Sequence, residues 1–497
     1  MPTALLIEEL PAAADPPGLF EKIRDLRLPF LLESSLRKGR MGRYSILGAE
    51  PFLTVSEKHG KIRITGENAS AQEENEANPF DVLKELISSH RLLRTAPAPP
   101  FIGGAVGYFG YDLARRIERL PSLSSDDLGL PEIHLGFYDA AAVVDHFSHR
   151  VYLVAASLPE RGSAGLRRAK EKLKRLRGAL SGRLLSGTVR HEAAAGFEEN
   201  PAVSGQRFSL LRVRDGFLTS TFSPPAFKAA VERVREYIAA GDIFVINLAQ
   251  RFSLPFFGDP WVLYRSLRSI SPAPFAAYLD CEDFTVISAS PELFLRLRDG
   301  RVETRPIKGT RPRGDTPETD RRLREELWQS AKDRAELAMV VDMLRSDLGK
   351  VCLPGSIQVP ELYRIEDYAT VFQLVATVEG RLDSRCNAVD LLRACFPGGS
   401  VTGAPKVRSM QIIEELEPVR RGIYTGAIGY LGFDGNADMS IAIRSVVCHK
   451  NRAWFHAGGG ITIDSDPEAE YRETLDKARA LLKALGVNGL EVDGWRL

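Results

Sequence analysis

The sequence predicts an α+β fold, and two observations support that class. Over roughly the first 155 residues, short apolar runs alternate with turn signals, as in "RYSILGAEPFLTVSEKHGKIRIT", which is typical of strands in an antiparallel sheet. From residue 223 to about 485, strands and amphipathic helices follow one another without a regular strand–helix–strand period. The chain has 497 residues, 44% of them hydrophobic, and is therefore long enough to build a large core.

Composition changes along the chain divide it into three regions. Residues 159–185 are basic, with leucines at helical spacing and no interleaved aromatic residues, which favours a solvated surface helix over a nucleic-acid-binding element. The polar, glycine-dotted residues 186–222 predict a linker or long loop. Ser223 and Pro224 begin a predicted helix that ends at Gly241, and the strand-like "IFVINLAQRFSL" follows. We expect an N-terminal region over 1–185 and a second domain, which carries the chemistry, over 223–487.

Charge and cysteine content exclude several classes of protein. The 66 Lys and Arg residues nearly balance the 65 Asp and Glu residues, so no global field attracts nucleic acid or an anionic membrane. No apolar run reaches spanning length, and "MPTALLIEEL" lacks the basic start of a signal peptide. Five scattered cysteines without a CxxC pair argue against a disulfide framework and a structural zinc site. We therefore expect a cytoplasmic protein.

The basic segment "RPIKGTRPRG" places Lys308 in a loop braced by proline and glycine. The nearby arginine charges disfavour a further positive charge, and Ile307 helps to desolvate the amine, so both favour a neutral, nucleophilic lysine. Anion binding and an ordinary basic surface turn are the alternatives. Upstream, Glu292 follows a Ser-Pro turn and precedes an apolar strand, where a carboxyl group can act as an acid if the fold brings it near Lys308.

Two predicted helices carry spaced carboxylates. Asp333 and Glu336 share one face of "SAKDRAELAMVVDMLRSDLGK", and Glu470, Glu473 and Lys477 share one face of "DPEAEYRETLDKARALLKALG". Each pair alone is more often a solvated face than a site. Because the candidate ligands are oxygens, with no His or Cys cluster nearby, the pairs would suit Mg²⁺ if the two helices converge.

Three glycine-rich segments complete the set of candidate motifs. They are "FPGGSVTGAPK", "GIYTGAIGYLGFDG" and "HAGGGITIDSDP", and none has the spacing of a nucleotide-binding loop. Clustered glycines let backbone N–H groups approach an anion, and Lys406, Arg444 and Lys477 could add positive charge. Ordinary turn glycines are the alternative for each segment.

Together, in this order and over nearly the whole chain, these segments resemble the chorismate-utilising enzymes. That family includes the large components of anthranilate synthase and aminodeoxychorismate synthase, with isochorismate and salicylate synthases as relatives. The resemblance implies two packed β-sheets, sandwich-like and flanked by helices, with the active site in the second part of the chain. The motifs that carry it are "LLESS", "GRYSILG", "GGAVGYFGYD", "GDIFVINLAQRF", "SPELF", "PIKGTRPRG", "KDRAELAMVVDMLRSDLG", "FPGGSVTGAPK", "GIYTGAIGY", "MSIAIRS" and "HAGGGITIDSDPEAEYRETLDKA".

Within the family, three positions favour the aminodeoxychorismate synthase branch. Anthranilate synthases typically carry Ala where this chain has Lys308, whereas aminodeoxychorismate synthases carry Lys, and Asn247 in "VINLAQRF" also resembles the latter. Gln373 stands where anthranilate synthases usually have a His linked to pyruvate elimination, and a neutral amide cannot supply that proton. Anthranilate synthase remains the alternative within the class.

The resemblance also implies roles for individual residues. Lys308 would attack C2 of chorismate as a covalent nucleophile, and Glu292 would protonate the departing 4-hydroxyl and later act as base when ammonia enters. Mg²⁺ would be held through Glu336 and Glu470, with Asp333 and Glu473 in or near its shell. The substrate would be held by Gly309, Thr310, Ser400, Tyr424, Arg444, Gly459 and Lys477.

Two partners follow from the same resemblance. Ammonia would come from a separate glutamine amidotransferase, because none of the five cysteines lies in a Gly-x-Cys-x-Gly turn. The segments "PFLLESS" and "SPAPFAAYL" resemble those that line a tryptophan pocket in the family. A non-catalytic, tryptophan-binding regulatory protein is therefore an alternative from a different functional class. The residues of the predicted pocket are Leu32, Glu33, Ser34, Pro274 and Phe275.

Overall fold

The structure is a computed structural model of the chain. It describes residues 4–11, 15–36, 39–67, 72–75, 77–94, 98–181, 209–213, 216–368, 371–487, 491–492 and 495–496. No helix within these ranges is both long enough and apolar enough to cross a membrane.

The strands are short in the first third of the chain and longer around residues 245–255, 358–381 and 452–461. In chain order they are β1 Leu5–Pro11, β2 Phe30–Glu33, β3 Tyr44–Gly48, β4 Leu53–Lys58, β5 Lys61–Gly66, β6 Gln72–Asn75, β7 Gly104–Phe109, β8 Ile133–Tyr138, β9 Ala140–Asp145, β10 Arg150–Ala156, β11 Ser209–Val213, β12 Gly216–Ser220, β13 Val245–Pro255, β14 Phe275–Asp280, β15 Phe284–Ser290, β16 Leu293–Arg298, β17 Arg301–Arg305, β18 Ile307–Pro312, β19 Gln358–Asp367, β20 Val371–Arg381, β21 Gly403–Ala404, β22 Ala427–Gly432, β23 Ala437–Ile441, β24 Ser445–His449, β25 Arg452–Ile461, β26 Glu491–Val492 and β27 Trp495–Arg496.

Many helices begin with a side-chain cap followed by proline, which supplies the starting φ and lacks an N–H that would need a partner. In α4, for example, the Ser223 hydroxyl accepts from the Ala226 N–H, as its sequence predicts. The helices are α1 Pro16–Phe20, α2 Pro79–Ser89, α3 Gly162–Leu180, α4 Pro224–Ala239, α5 Pro260–Ile270, α6 Pro317–Gln329, α7 Ala331–Gly349, α8 Ala388–Cys395, α9 Lys406–Leu416 and α10 Pro467–Ala484.

Two large antiparallel sheets organise the molecule. Among the described residues, the first sheet has the order β1-β10-β9-β3-β2-β14-β15-β24-β25-β13-β12-β11, with β21 beside β13. The second has the order β18-β20-β17-β16-β23-β22-β7-β8-β4-β5-β6, with β19 beside β20. The α+β class with two sheets is therefore confirmed.

The core lies in three layers that follow from this arrangement. Apolar residues of both sheets, with no helical residue among them, form the buried cluster around Phe30, Val106 and Tyr108. A second cluster joins the first sheet to α4, α5 and α10, and a third joins the second sheet to α2, α7 and α8. The helices thus cover the outer faces of two sheets whose inner faces pack together.

The two regions expected at 1–185 and 223–487 share both sheets. β2 pairs with β14 in the first sheet, and β7 pairs with β22 in the second. Most of the predicted linker, residues 186–208, lies outside the described residues. Its last part differs from the prediction, because β11 and β12 pair with each other as antiparallel strands and β12 pairs with β13, which extends the first sheet. The basic stretch at 159–185 contains α3, as predicted, which packs on β10 with its leucine face.

Three features of this fold bring the candidate residues together. The chain passes from the first sheet to the second between β15 and β16, and Glu292 lies in that short crossing. β18, which carries Lys308, contacts α7. β25, which carries the glycine run, packs against α10.

Candidate active site

Glu292 is buried beside β18, which carries Lys308. The loop predicted for this segment is wrong, because Ile307–Pro312 pairs with β20 as a strand. Glu292 is 5% exposed, and its carboxylate accepts a hydrogen bond from the Ser400 hydroxyl at 2.5 Å. Burial raises the pKa of Glu292 to about 7, although the Ser400 hydroxyl, the charge of Lys308 and the Ile307 N–H each lower it. The condition set by the sequence is met, because the fold brings an acid that titrates near neutrality next to a lysine.

The Lys308 amine lies over the glycine run of β25. A Cβ built on Gly460 would lie 3.3 Å from Lys308 Nζ and 3.6 Å from Glu336 Oε2. Burial raises the pKa of Glu336, and the charges of Lys308 and Lys332 oppose that rise. The amine therefore lies among carboxylates and close to the backbone of Gly460.

The sequence suggested that three arginines surround Lys308 with free positive charge. The structure shows that they do not. Each is paired with a carboxylate on a neighbouring element: Arg305 with Glu366 at 2.7 Å, Arg311 with Asp333 at 3.1 Å and Arg313 with Asp320 at 2.7 Å. These pairs hold β18 and its flanks, because a paired guanidinium restricts the backbone that carries it. The arginines therefore position the strand that carries Lys308, and the groups that face the amine are acids.

The two carboxylate helices converge beside Gly459. A Cβ on this glycine would lie 3.2 Å from Glu470 Oε2 and 3.3 Å from Glu473 Oε1. Glu470 Oε1 accepts from the Ser465 hydroxyl at 2.6 Å, whereas its buried Oε2 has no hydrogen-bond partner among the described residues. Lys332 of α7 reaches to 3.8 Å from Glu470 of α10, which shows that the helix ends meet.

The pKa values of Glu470 and Glu473 shift in opposite directions. Burial and the neighbouring Glu473 raise the pKa of Glu470, against the Ser465 hydroxyl and two lysines. Burial also acts to raise the pKa of Glu473, but Lys477, Lys308 and Lys332 outweigh it and lower the pKa. An unpartnered oxygen on a carboxyl with a raised pKa indicates a place where a cation would stabilise the ionised form.

Asp333 pairs with Arg311 of β18 and does not join Glu470 and Glu473. It accepts from Arg311, and a Cβ on Gly309 would lie 2.8 Å from the Asp333 Cγ, so only glycine fits at that close approach. Gly309 also has a φ of 78°, which favours glycine. Among the described residues, no three His, Cys, Asp or Glu side chains lie together in a geometry that holds a metal.

The predicted substrate-binding residues fall into two groups. The Ser400 hydroxyl donates to Glu292, the Lys477 amine donates to the Gly458 carbonyl at 2.8 Å, and Thr310 is exposed in β18. Tyr424 is buried and stacks on His456, with ring centroids 4.9 Å apart. The first group thus lines the Lys308 end, and the second lies farther along β25.

Arg444 has the environment of an anion receptor. No carboxylate in the described ranges pairs with it, and burial alone lowers the pKa of its guanidinium. Its φ of 51° lies in a region that residues other than glycine rarely adopt. A strained, desolvated arginine without a counter-ion is well suited to a carboxylate supplied by a ligand.

Comparison with known proteins agrees with this geometry. The family described as chorismate binding enzyme matches residues 43–483. The chain belongs to the chorismate-binding enzyme family. It is 42% identical to anthranilate synthase component 1 of Thermus thermophilus over 92% of each chain, and 39% identical to aminodeoxychorismate synthase component 1 of Klebsiella aerogenes over 92% of this chain and 93% of that protein.

A solved structure supports the same assignment. Anthranilate synthase component I of Streptococcus pneumoniae TIGR4 superposes with a TM-score of 0.74 and 32% identity, covering 89% of this chain and 93% of the other. The chain is therefore a chorismate-utilising enzyme of the anthranilate synthase and aminodeoxychorismate synthase large-component type. The relatives include both anthranilate synthases and aminodeoxychorismate synthases, so similarity alone does not identify which reaction this chain catalyses.

Sequence reasoning misread one residue of this chorismate-binding enzyme and missed another. Lys406, expected to add charge for an anion, instead binds Asp347 at 2.5 Å and the carbonyl oxygens of Cys395 and Pro397. It therefore fixes the loop before α9. Ser465, which positions Glu470, was not recognised, because a serine five residues before a carboxylate has no characteristic pattern.

The five residues of the predicted tryptophan pocket do come together. Leu32, Glu33, Ser34, Pro274 and Phe275 all line one cavity of about 220 Å³ between the two sheets. The Glu33 carboxylate is already bound by Arg268 at 2.7 Å and by the Tyr264 hydroxyl at 2.6 Å. The five residues therefore share one cavity, and tryptophan binding there stays a prediction.

The titration of Glu292 generates a test of its role as an acid. As pH rises through about 7, the protonated form falls tenfold per pH unit, so the slope of log kcat/KM for chorismate against pH should fall by one. Ser400→Ala removes a hydroxyl that stabilises the carboxylate, so the break should move to higher pH. Steady-state rates at constant free ammonia measure both profiles. A break that Ser400→Ala leaves in place would contradict the assignment.

Proposed function

We propose that this chain is the large component of aminodeoxychorismate synthase, which converts chorismate and ammonia to 4-amino-4-deoxychorismate. One observation carries the proposal: the Lys308 amine interacts with a buried acid, Glu292, whose pKa of about 7 suits proton transfer. A lysine near a buried acid suits covalent substitution, in which one group attacks while the other protonates the leaving oxygen.

The proposed reaction has two balanced steps. In the first, Lys308 forms a C–N bond to C2 while the ring double bonds shift and the C4–O bond breaks, and Glu292 gives its proton to the departing hydroxyl. In the second, ammonia forms a bond to C4, the double bonds shift back and the C2–N bond to Lys308 breaks. Glu292, now ionised, takes the proton that ammonia loses.

The environment of Gln373 favours this reaction over aromatisation. Anthranilate formation requires removal of a ring proton and loss of pyruvate, which needs a group that transfers protons. Gln373 is 3% exposed on β20, opposite Thr310 of the Lys308 strand. An amide does not titrate, so this position supplies no acid or base.

The proposed substrate has two carboxylates, one of which would meet Arg444 and the other Glu336 and Glu470. The desolvated Arg444 would bind one carboxylate of the chorismate dianion. The other carboxylate would be repelled by the acids Glu336 and Glu470. A divalent cation held by these two residues would remove that repulsion, which is why the proposal includes Mg²⁺.

The carboxylates fit a magnesium ion that keeps several of its waters. Mg²⁺ is usually bound in proteins by one or two carboxylates together with water and substrate oxygens, so a compact cage of three protein ligands is unnecessary. The unpartnered Oε2 of Glu470 supplies one ligand, and Glu336 supplies a second from α7. When bound, the ion would neutralise the ring carboxylate of chorismate.

Removal of the Lys308 amine should abolish amination. Lys308→Ala leaves Glu292 and the fold in place but removes the nucleophile, so 4-amino-4-deoxychorismate formation should fall by at least about a thousandfold. The wild-type protein mixed with chorismate without ammonia should show a covalent adduct by intact mass spectrometry, and the variant should not. Lys350→Ala, at the exposed end of α7, is the matched control.

The same experiment decides between the two activities of the family. Anthranilate is fluorescent, and 4-amino-4-deoxychorismate retains the enolpyruvyl group, so fluorescence and mass identify the product. Full amination by Lys308→Ala, or anthranilate as the main wild-type product, would overturn the proposal.

Metal dependence provides a separate test. Glu470→Gln removes the charge of one proposed ligand while keeping its shape, so the concentration of Mg²⁺ that gives half-maximal activity should rise by at least tenfold. Calorimetric titration of Mg²⁺ in the absence of turnover should show the same weakening. Asp476→Asn, on the solvent face of the same helix, is the control and should bind Mg²⁺ as wild type does. Full activity in excess chelator would refute the metal.

The cysteines support the need for a second protein as the source of ammonia. Four of the five are buried and Cys386 is partly buried. Burial raises the thiol pKa of every one of them, to about 11 for Cys352 and about 12 for Cys448. A raised pKa keeps the thiol protonated at neutral pH, so none can act as the thiolate that attacks glutamine.

The chain alone should therefore be unable to use glutamine. Purified protein with chorismate and Mg²⁺ should form 4-amino-4-deoxychorismate from ammonium salts at high pH, where neutral ammonia is abundant, but not from glutamine. Adding the glutamine amidotransferase partner should restore glutamine use. Robust amination from glutamine by the chain alone, followed by glutamate release, would show that the partner is unnecessary.

A further inference from the structure

Arg421 is a buried arginine whose contacts the site described above does not explain. It lies between α9 and β22, three residues before Tyr424, and is 2% exposed. A buried guanidinium is costly unless each of its N–H groups has an acceptor. The acceptors of Arg421 therefore indicate what this side chain holds.

All five N–H groups of the Arg421 guanidinium donate to acceptors within the protein. Two of them form a bidentate pair with the Glu417 carboxylate, at 2.9 and 2.6 Å. One donates to the Thr425 hydroxyl at 3.3 Å. The remaining two donate to backbone carbonyls, that of Val401 at 2.9 Å and that of Asn247 at 2.6 Å. Since an arginine has five such donors, none is left for a carboxylate of a substrate.

The charge of Arg421 is balanced inside the protein. Glu417 is buried, and although burial raises the pKa of its carboxyl group, the Arg421 guanidinium opposes that rise. The rings of Tyr111 and Tyr424 lie 4.8 and 5.7 Å from the guanidinium carbon, within cation–π range. Arg421 thus needs no ligand as a counter-ion, in contrast to Arg444, which has no carboxylate partner in the described ranges.

The Val401 carbonyl is held by two donors. Besides Arg421 at 2.9 Å, the side-chain amide of Asn247 donates to it at 3.1 Å, so both lone pairs of the carbonyl oxygen are used. The backbone N–H of Asn247 also donates to the next carbonyl, that of Thr402, at 2.8 Å. This short backbone segment is therefore fixed between β13 and the guanidinium.

The fixed segment carries the hydroxyl that contacts the acid. Ser400 directly precedes Val401, and its hydroxyl donates to the Glu292 carboxylate. The other groups that lower the pKa of Glu292 against burial are the charge of Lys308 and the Ile307 N–H, both on β18. Because a hydrogen bond weakens steeply with poor distance or angle, the position of the segment sets how strongly the hydroxyl stabilises the carboxylate.

We propose that Arg421 is a positioning residue for proton transfer by Glu292. Together with Asn247 it fixes the Val401 carbonyl and thereby directs the Ser400 hydroxyl at the acid. In the described part of the chain, Arg421 donates to neither Glu292 nor the Lys308 strand, so it acts through the backbone. The inference rests on the proposed role of Glu292 as an acid. The competing explanation is that Arg421 only stabilises the fold.

The pH profile separates these two explanations. Arg421→Lys keeps the positive charge beside Glu417, but one ammonium group cannot replace the planar fork that holds two carbonyls. The pH at which log kcat/KM for chorismate breaks should rise by about half a pH unit, as expected when one hydrogen bond to Glu292 weakens. This break reports the free protein, so a change in chorismate affinity does not move it. Steady-state rates at constant free ammonia give the profile.

A double variant tests whether Arg421 acts through Ser400. Ser400→Ala combined with Arg421→Lys should break at the same pH as Ser400→Ala alone, because the hydroxyl that transmits the effect is already absent. Arg420→Lys is the matched control, since it is the same exchange one position earlier. Arg420 donates to Ser122 and lies 3.9 Å from Glu132, so this variant should leave the break in place.

Asn247→Ala removes the second donor to the Val401 carbonyl and leaves the buried ion pair intact, so it repeats both measurements if circular dichroism shows that Arg421→Lys does not fold. A break that stays in place in the folded variants would mean that these residues only stabilise the fold. Shifts that add to that of Ser400→Ala would mean that Arg421 acts without the hydroxyl. Either result overturns the inference. A wild-type profile with no break near pH 7 would instead refute the proposed role of Glu292, and the inference with it.

Discussion

The candidate active site depends on two neighbouring glycines, which have no side chains. Gly459 and Gly460 lie side by side in β25, and the alternation of a strand directs their Cβ positions to opposite faces. One face meets the Glu470 and Glu473 carboxylates at little more than 3 Å, and the other meets the Lys308 amine at 3.3 Å. A methyl group at either position would displace a charged group. The strand can therefore place a nucleophile and a set of acids around one backbone only because it carries no side chains there.

Burial determines the ionisation of the charged groups in this crowded region. Burial raises the pKa of Glu292, Glu336 and Glu470, so the three acids resist ionisation until a cation or a proton acceptor arrives. Arg444 is desolvated and has no carboxylate partner among the described residues. Acids that a divalent cation would ionise, together with an arginine that lacks a counter-ion, are complementary to an anionic substrate that binds with such a cation.

The fold explains how residues far apart in sequence meet near the crossing between the two sheets. Both sheets combine strands from the first and the last thirds of the chain, and Glu292 lies where the chain passes from one sheet to the other. Residues drawn from β18, α7, β25 and α10 can then meet although up to about 180 positions separate them in sequence. The ion pairs of Arg305, Arg311 and Arg313 hold β18 and its flanks, and the contacts of Lys406 hold the segment before α9. Some polar residues of the motifs therefore position the backbone, whereas others face the candidate site.

The sequence by itself determined the α+β class and the helix start at Ser223, and it indicated the candidate reactive groups, because periodicity, capping and side-chain chemistry are local properties. It also indicated which carboxylates could share a helical face. It could not determine that Asp333 turns to Arg311 while Glu336 faces Lys308, nor that the arginines beside Lys308 are neutralised by carboxylates up to 61 positions away. Those outcomes depend on which elements pack together, and so did the burial that raises the pKa of Glu292. Tertiary structure decided them because distance and desolvation, which set the strength of every charge interaction, exist only once strands far apart in sequence have been paired.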